Sequence, residues 1–383
     1  GTTQRTSKDI TTKLDQLGVS YNAATYPELT IYTGTTDNEN LKESLDIFAD
    51  MLKNSKMTAK DMKIEANTVT QELTTIVQTP SDYVEQLLLE SVFKGNTLGL
   101  PIQRTIHSSK NIKLKNMRDF YNQYYIPSNM TVIIAGNIDS TVSNLLEFIK
   151  TKFKKFKKKN RPELPKSYPL PHDLFKITQD KPRYKNHPFK GDQVELAIGF
   201  PIQIGIGDPE KLIVEIITDI MGGGLSSRLD MALRDKKGYT YKISCSEDFN
   251  MECGMVYILA SMDTKDLIPS LNIIAKELKA IRSLKPITAK EFKNSRTGMV
   301  NSFKRMADSS SFVADLLVNQ VLYDEKRRGL KQELDSYNKI KFKDVKKLST
   351  EIFNFNHMNV ITIGPKSIEK KVEKIVFNKK LWE

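Results

Sequence analysis

Glu65 and Glu72, seven positions apart in a helical pattern, are the residues of this chain best spaced to do chemistry. About two turns of α-helix separate them, so both project from one face. A charged helix face is ordinarily just solvated, and the spacing by itself gives neither residue a particular role. Other candidates are weaker. The histidines His107, His172, His187 and His357 are scattered, and no two show metal-ligand spacing. No serine has a G-x-S-x-G setting. Gly222-Gly-Gly-Leu-Ser-Ser-Arg228 reads as a loop opening a helix, with Ser226 as its N-cap. It has neither the Lys-Ser/Thr of a P-loop nor G-x-G-x-x-G spacing, so it is a poor phosphate cradle.

What singles out the two glutamates is that the chain repeats itself and the second copy lacks them. Met57-Thr58-Ala59-Lys60-Asp61-Met62-Lys63 returns as Ile287-Thr288-Ala289-Lys290-Glu291-Phe292-Lys293. Upstream, the stripe Leu41, Leu45, Phe48, Leu52 returns as Leu267, Leu271, Ile274, Leu278, each with an Asp ahead of it, Asp37 and Asp263. Downstream, Ser81 to Phe93 matches Ser310 to Leu322, and Met130 to Gly136 matches Met358 to Gly364. Matches in one order at nearly one offset mean two homologous halves; a solenoid would repeat far more often. On this alignment the counterparts of Glu65 and Glu72 are Ser295 and Ser302.

The elements that must position these residues follow from the periodicities. Short strands at Leu29 to Thr33, Thr131 to Ala135, Val194 to Phe200 and Val256 to Ala260 alternate with long amphipathic helices at Leu41 to Leu52, Ala59 to Ile76 and Tyr83 to Phe93. The expected class is α+β, each half a mainly antiparallel sheet with helices on one face. Residues 1–165 form the first half, 166–190 a linker and 191–383 the second half. Gly238-Tyr-Thr-Tyr241 corresponds to Gly18-Val-Ser-Tyr21, yet the strand and apolar helix ahead of Gly238, Val194 to Pro201 and Lys211 to Met221, have no counterpart ahead of Gly18. The first half is therefore expected to lack its opening strand and helix, and Gly1 is not expected to be the natural start.

Composition limits the remaining classes. A chain of 383 residues with 39% hydrophobic content suits two soluble domains. No run reaches the roughly 18 apolar residues of a membrane span, and no signal-peptide pattern opens the chain. Cys245 and Cys253 flank a hairpin turn and read as buried thiols rather than a disulfide framework; so little cysteine points to the cytoplasm. Part of the net charge of +13 clusters at Lys150 to Arg161. Prolines follow, and aromatic interleaving is absent, so this reads as a solvated helix end running into the linker, and no nucleic-acid role is expected.

In order along the chain, Gly1-Thr-Thr-Gln-Arg-Thr6, Leu17 to Thr25, Ala49-Asp50-Met51, Glu65 to Leu73, Leu98-Gly-Leu-Pro101 and Phe120 to Met130 resemble the pitrilysin or insulinase family of zinc metallopeptidases. Gly222 to Leu229 followed by Leu233 to Tyr241 is similar to the C-terminal half of the subgroup containing mitochondrial processing peptidase and its bacterial relatives. The resemblance covers nearly the whole chain.

It implies zinc held by an inverted H-x-x-E-H motif on the helix just ahead of the segment matching Gly1-Thr2. The motif's Glu serves as general base, and a third ligand comes from a later helix. Glu72 falls at the third ligand, and Glu65 at a carboxylate that orients a ligand. Arg234 and Tyr241 match the Arg and Tyr that stabilise the oxyanion of a tetrahedral intermediate. Asn22, Ala23 and Thr25 match the edge strand on which an extended peptide adds as a further strand. The departure is that both His and the general-base Glu are absent, and catalytic zinc ordinarily takes three protein ligands. The chain as it stands is expected to be inactive. The expectation is a zinc endopeptidase subunit with its H-x-x-E-H segment upstream of Gly1, cleaving unfolded peptides in a chamber closed by a homo- or heterodimer. The alternative is a non-catalytic partner subunit of such a peptidase.

Overall fold

The protein is described by a computed structural model covering residues 1–109, 111–138, 144–154, 176–284, 286–323 and 328–383. Its packing divides into two units, neither contiguous in sequence. The first comprises Gly1–Glu72, Thr105–Tyr168 and Asp308–Val318; the second comprises Leu73–Arg104, Pro169–Ala307 and Asn319–Glu383.

The first unit opens with α1 (Ser7–Gln16), started by a capping box in which Thr6 and Asp9 satisfy each other's backbone N–H. Gly18, at φ +62°, lets the chain turn from α1 into β1 (Ser20–Thr25), which pairs antiparallel with β2 (Thr30–Thr35). Then come α2 (Leu41–Lys53) and α3 (Ala59–Gln78), the last turns of α3 belonging to the second unit. The next helix, α4 (Pro80–Val92), lies wholly in the second unit, and α5 (Ile102–Ser109) starts there and ends in the first. α6 (Leu114–Tyr124) and α7 (Leu145–Lys154) complete the first unit's part of this half. The first unit's core is small: Ile10, Leu14, Leu17, Val19 and Ile47, with Phe48 and Met51 against them.

The second unit holds a complete sheet in the order β3-β7-β4-β6-β5, from β3 (Arg183–Pro188), β4 (Gln193–Ile202), β5 (Lys242–Phe249), β6 (Gly254–Asp263) and β7 (Asn359–Gly364). Only β3 and β7 run parallel. Its helices are α8 (Lys211–Gly222), α9 (Leu267–Lys279), α10 (Ala289–Met306), α11 (Ser310–Tyr323, shared with the first unit), α12 (Leu330–Lys339), α13 (Phe342–Glu351), α14 (Glu369–Val376) and α15 (Lys379–Trp382).

β4 is buried on both faces. Val194, Leu196, Ile198 and Phe200 join the main core with Ile217 of α8, Leu271 of α9, Val345 of α13 and Val372 of α14. Ala197, Met255, Ile361 and Ile363 face Tyr83, Val84, Leu87 and Leu88 of α4. A Cβ on Gly199 would stand 2.9 Å from the Leu88 side chain, so the missing side chain is what lets α4 lie close. The fold is thus α+β with two homologous halves. The second half's own helices cover one face of its sheet, and a helix from the first half covers the other. The exchange is mutual, since the first unit includes residues 308–318 at the start of α11, where Ser311 hydrogen-bonds Thr35 of β2.

Several expectations need correction. Thr131–Ala135 is not a strand. Its counterpart, β7, is held between β3 and β4, whereas this segment has no strand beside it among the described residues, and a strand without a ladder leaves its backbone groups unpaired. Arg183–Pro188, inside the stretch expected as linker, is β3, recruited by main-chain bonds to β7. Ser226 sits in a turn. It is Ser227 whose carbonyl accepts the Met231 N–H that starts the next helical segment. Cys245 and Cys253, by contrast, are buried thiols as expected, in the cores on opposite faces of the sheet and without a disulfide between them. Residues 155–161 of the basic run, residues 166–175 of the linker and His172 lie outside the described residues.

Candidate functional site

Glu65 and Glu72 stand on α3, and both are exposed. Among the described residues neither accepts a hydrogen bond or forms an ion pair. That distinguishes them from the acidic residues of the neighbouring helix. Asp50 of α2, nearly buried, accepts from Thr2 Oγ1, Arg5 Nη1 and Asn54 Nδ2, each at 2.7 Å. Asp46, one turn earlier, accepts from Arg5 Nη2 at 2.7 Å and from Lys152. Burial opposes the charge on both, but these hydrogen bonds and the nearby cations outweigh it and hold both carboxyls below their ordinary range. In the second copy, Ser295, the counterpart of Glu65, is buried in the packing of α10.

Asn22, Ala23 and Thr25 lie on β1, exposed, opposite Thr33, Tyr32 and Thr30 of β2. The Asn22 side chain accepts its neighbour's N–H at 2.9 Å, and Thr33 Oγ1 donates to the Asn22 carbonyl at 3.3 Å. β2 is the only strand beside β1 among the described residues, so the other edge of β1 is open for main-chain pairing.

Arg234 and Tyr241 lie in the second unit. Arg234 lies in a π-helical turn, Asp230–Asp235, where it pairs with Asp230 at 3.3 Å. Gly238, at φ +62°, turns the chain there as Gly18 does in the first copy, and its N–H donates to the Arg234 carbonyl at 3.0 Å. Three residues later Tyr241 is 68% exposed, its hydroxyl donating weakly to Asp263 Oδ1 at 3.4 Å. The two side chains make no hydrogen bond to each other and both reach solvent.

The described residues do not make a zinc site by themselves: no three His, Cys, Asp or Glu side chains among them converge to hold a metal ion. His187 packs edge-on against Tyr83 at 5.1 Å, with burial lowering its pKa, and His357 is likewise lowered by burial. No helix among the described residues is long and apolar enough to cross a membrane. Residue types alone give no role to the Thr2, Arg5, Asp46 and Asp50 network. The available signal was two Asp one helical turn apart on α2 together with a Thr and an Arg near the start of the chain.

The class defined by this architecture is an α+β protein built from two homologous halves. Residues 1–106 match the family described as insulinase, peptidase family M16, and residues 111–299 match its companion described as peptidase M16 inactive domain. The chain belongs to the insulinase (M16) peptidase family. It is 25% identical over 358 residues to the uncharacterized zinc protease YmxG of Bacillus subtilis, covering 92% of this chain and 83% of that protein. An uncharacterized zinc protease of Rickettsia bellii is 25% identical over 374 residues, covering 96% of this chain and 85% of the relative. The fold also resembles the crystal structure of a protease from Helicobacter pylori, with TM-score 0.84 and 19% identity over 95% of this chain and 87% of that one.

Proposed function

We propose that this chain is most of a zinc-dependent endopeptidase subunit, with its H-x-x-E-H helix upstream of Gly1. The observation that carries this reading is the state of Glu72, an exposed carboxylate with no hydrogen-bond or ion-pair partner among the described residues, on a helix whose other copy bears Ser302 there. Zinc, when bound, would supply an activated water and a Lewis acid. Glu72 would be one of its ligands, and Glu65 would orient a ligand.

The rest of the chemistry falls to residues of this chain. An extended peptide would pair with the open edge of β1 at Asn22, Ala23 and Thr25. These short, exposed side chains allow close backbone approach and make side-chain selectivity shallow. Arg234 and Tyr241 would donate to the oxyanion of the tetrahedral intermediate, their present contacts to Asp230 and Asp263 being long enough to give up. A second subunit, identical or different, would close a chamber that admits only unfolded peptides.

The test is metal content of the natural full-length protein against its Glu72→Gln variant. About one zinc per chain is expected, lost in the variant along with peptidase activity. Full zinc occupancy in the variant removes Glu72 from the site. A second reading, a non-catalytic partner subunit, is favoured by the inactive-domain match over residues 111–299. It predicts no zinc in the full-length protein and activity only when a catalytic subunit is added.

A further inference from the structure

α4 ends beside a small polar cavity of the second unit, about 180 Å3 in volume. Its wall comes from three stretches of chain: Lys94, Gly95 and Asn96 in the turn after α4, Lys176 to Gln179 ahead of β3, and Arg183, the first residue of β3. Three cations line it, and among the described residues no carboxylate does.

A buried hydrogen-bond chain fixes part of this wall. Asn359 of β7, with no exposure, accepts from Ser91 Oγ at 2.7 Å and donates to Gln179 Oε1 at 3.0 Å. The Gln179 amide nitrogen donates to the carbonyls of Lys181 and Met358 at 3.0 and 3.1 Å. Arg183 Nη1 donates to the Ser91 carbonyl at 2.5 Å. The end of α4, the lead into β3 and the start of β7 are thus tied together around the cavity, with the guanidinium held at it.

A cation at a helix C-terminus ordinarily serves the last carbonyls, and one N–H of Arg183 does so. That uses one of the five donors of a guanidinium. Elsewhere in the same unit Arg228, Arg234 and Arg328 each meet a carboxylate, of Glu291, Asp230 and Glu333. Arg183 forms no ion pair among the described residues. Burial lowers its pKa, and the acid that opposes the shift is the exposed Asp180, which does not line the cavity. Lys94 and Lys176, both exposed, also form no ion pair among the described residues. Like charges around one small concavity raise each other's energy and make the potential inside it positive. The repeat shows that this charge is particular to one copy. Ser81 to Phe93 matches Ser310 to Leu322, and the next three residues are Lys94-Gly-Asn96 in the first copy but Tyr323-Asp-Glu325 in the second.

We infer that this cavity is an anion site whose ligand is a phosphate group, free or at the end of a small molecule, bridging Lys94, Lys176 and Arg183. A phosphate carries up to about two negative charges, which suits three cations better than the single charge of a carboxylate. Its tetrahedral oxygens also accept from directions that a planar carboxylate leaves unmet. Binding would fasten the end of α4, a helix of the first half, to β3 of the second half's sheet, so occupancy raises the stability of that junction. The site does not depend on whether the chain is a peptidase.

Calorimetric titration and thermal unfolding of the natural full-length protein test it, with inorganic phosphate as the probe. Phosphate is expected to bind at about one per chain, and to raise the unfolding temperature beyond the change given by potassium chloride or potassium acetate at equal ionic strength. Lys94→Gln and Lys176→Gln, at exposed positions outside the buried hydrogen-bond chain, are expected to fold as the parent does and to weaken phosphate by about tenfold each. Adenosine monophosphate as a second titrant separates the two sources. Binding tighter than that of phosphate, and weakened in the same variants, makes a nucleotide the carrier of the group; weaker binding makes the free ion the ligand. Phosphate that acts no differently from chloride overturns the inference. Phosphate that binds both variants as tightly as the parent overturns it too, by placing the anion elsewhere.

Discussion

Arg5 Nη1 donates to Asp50 Oδ2 at 2.7 Å, across 45 residues of chain, while the other end of the same guanidinium reaches Asp46. One side chain thus ties the start of the described chain to two successive turns of α2. The Asp50 side chain is 4% exposed, and Thr2 and Asn54 also donate to it. Arg5→Ala would deprive that buried carboxylate of the cation that pairs with it among the described residues, so a loss of about 1–3 kcal/mol is expected. Arg5→Lys should recover only part, because an ammonium cannot span both carboxylates as a fork does. Both carboxyls lie below their ordinary pKa of 3.8 in the fold. The stabilisation is therefore complete above that value and lost as pH falls through the lower folded values. Urea unfolding followed by exchange at α1 and α2 checks both points, and an unchanged midpoint in Arg5→Ala would show the pair to be inert.

Tyr241→Phe deletes one exposed hydroxyl whose only described side-chain contact is 3.4 Å long. Stability should move by less than about 0.5 kcal/mol. If the hydroxyl stabilises an oxyanion, kcat should fall by about a hundredfold with KM and zinc content unchanged. Equal turnover by variant and parent would return Tyr241 to the role of a surface residue.

Glu215, on α8, is partly buried near Glu247 with Lys211 at 3.8 Å, and its carboxylate accepts from Tyr337 at 3.1 Å. Burial is the largest cause of its pKa being pushed up to about 7, with Lys211 opposing and Glu247 adding. A carboxyl raised in the fold favours the protonated state, so the folded protein loses stability as pH rises from 4.5 towards about 7. Glu215→Gln keeps an acceptor for Tyr337 and removes that penalty. Its thermal midpoint should match the parent near pH 4 and exceed it at pH 8, by up to about 3 kcal/mol in stability. A variant less stable at both values would mean that the ionised form is the one the core needs.

Gly222 ends α8 against β5, where a Cβ would lie 2.2 Å from the Cys245 backbone nitrogen. Backbone cannot rotate aside as a side chain can, so Gly222→Ala should push α8 away from the sheet and destabilise by about 1–3 kcal/mol or more. Gly224→Ala, two residues on, meets nothing within 4 Å and serves as the control. Comparable unfolding midpoints for the two variants would contradict this packing.

Which residues form helices, and that the chain is built twice, was legible in the sequence because both are local: the stripe Leu41, Leu45, Phe48, Leu52 and its copy from Leu267 carry a helical period whatever surrounds them. The same repeat sets Glu65 and Glu72 apart, since their counterparts are Ser295 and Ser302. It failed at Thr131–Ala135, since a strand is a property of a pair and the sequence of one member does not say whether its neighbour is present. It was also silent on the exchange that puts α4 under the second half's sheet. Tyr83, Leu87 and Leu88 announce an apolar helix face, but a hydrophobic contact has no direction or address until a shape such as the gap over Gly199 accepts it. The clamp of Arg5 on Asp46 and Asp50 had the same standing, three charged residues whose meeting depended on how α1 and α2 pack. Local periodicity set the elements, and long-range complementarity of edges, cavities and buried charges set their partners.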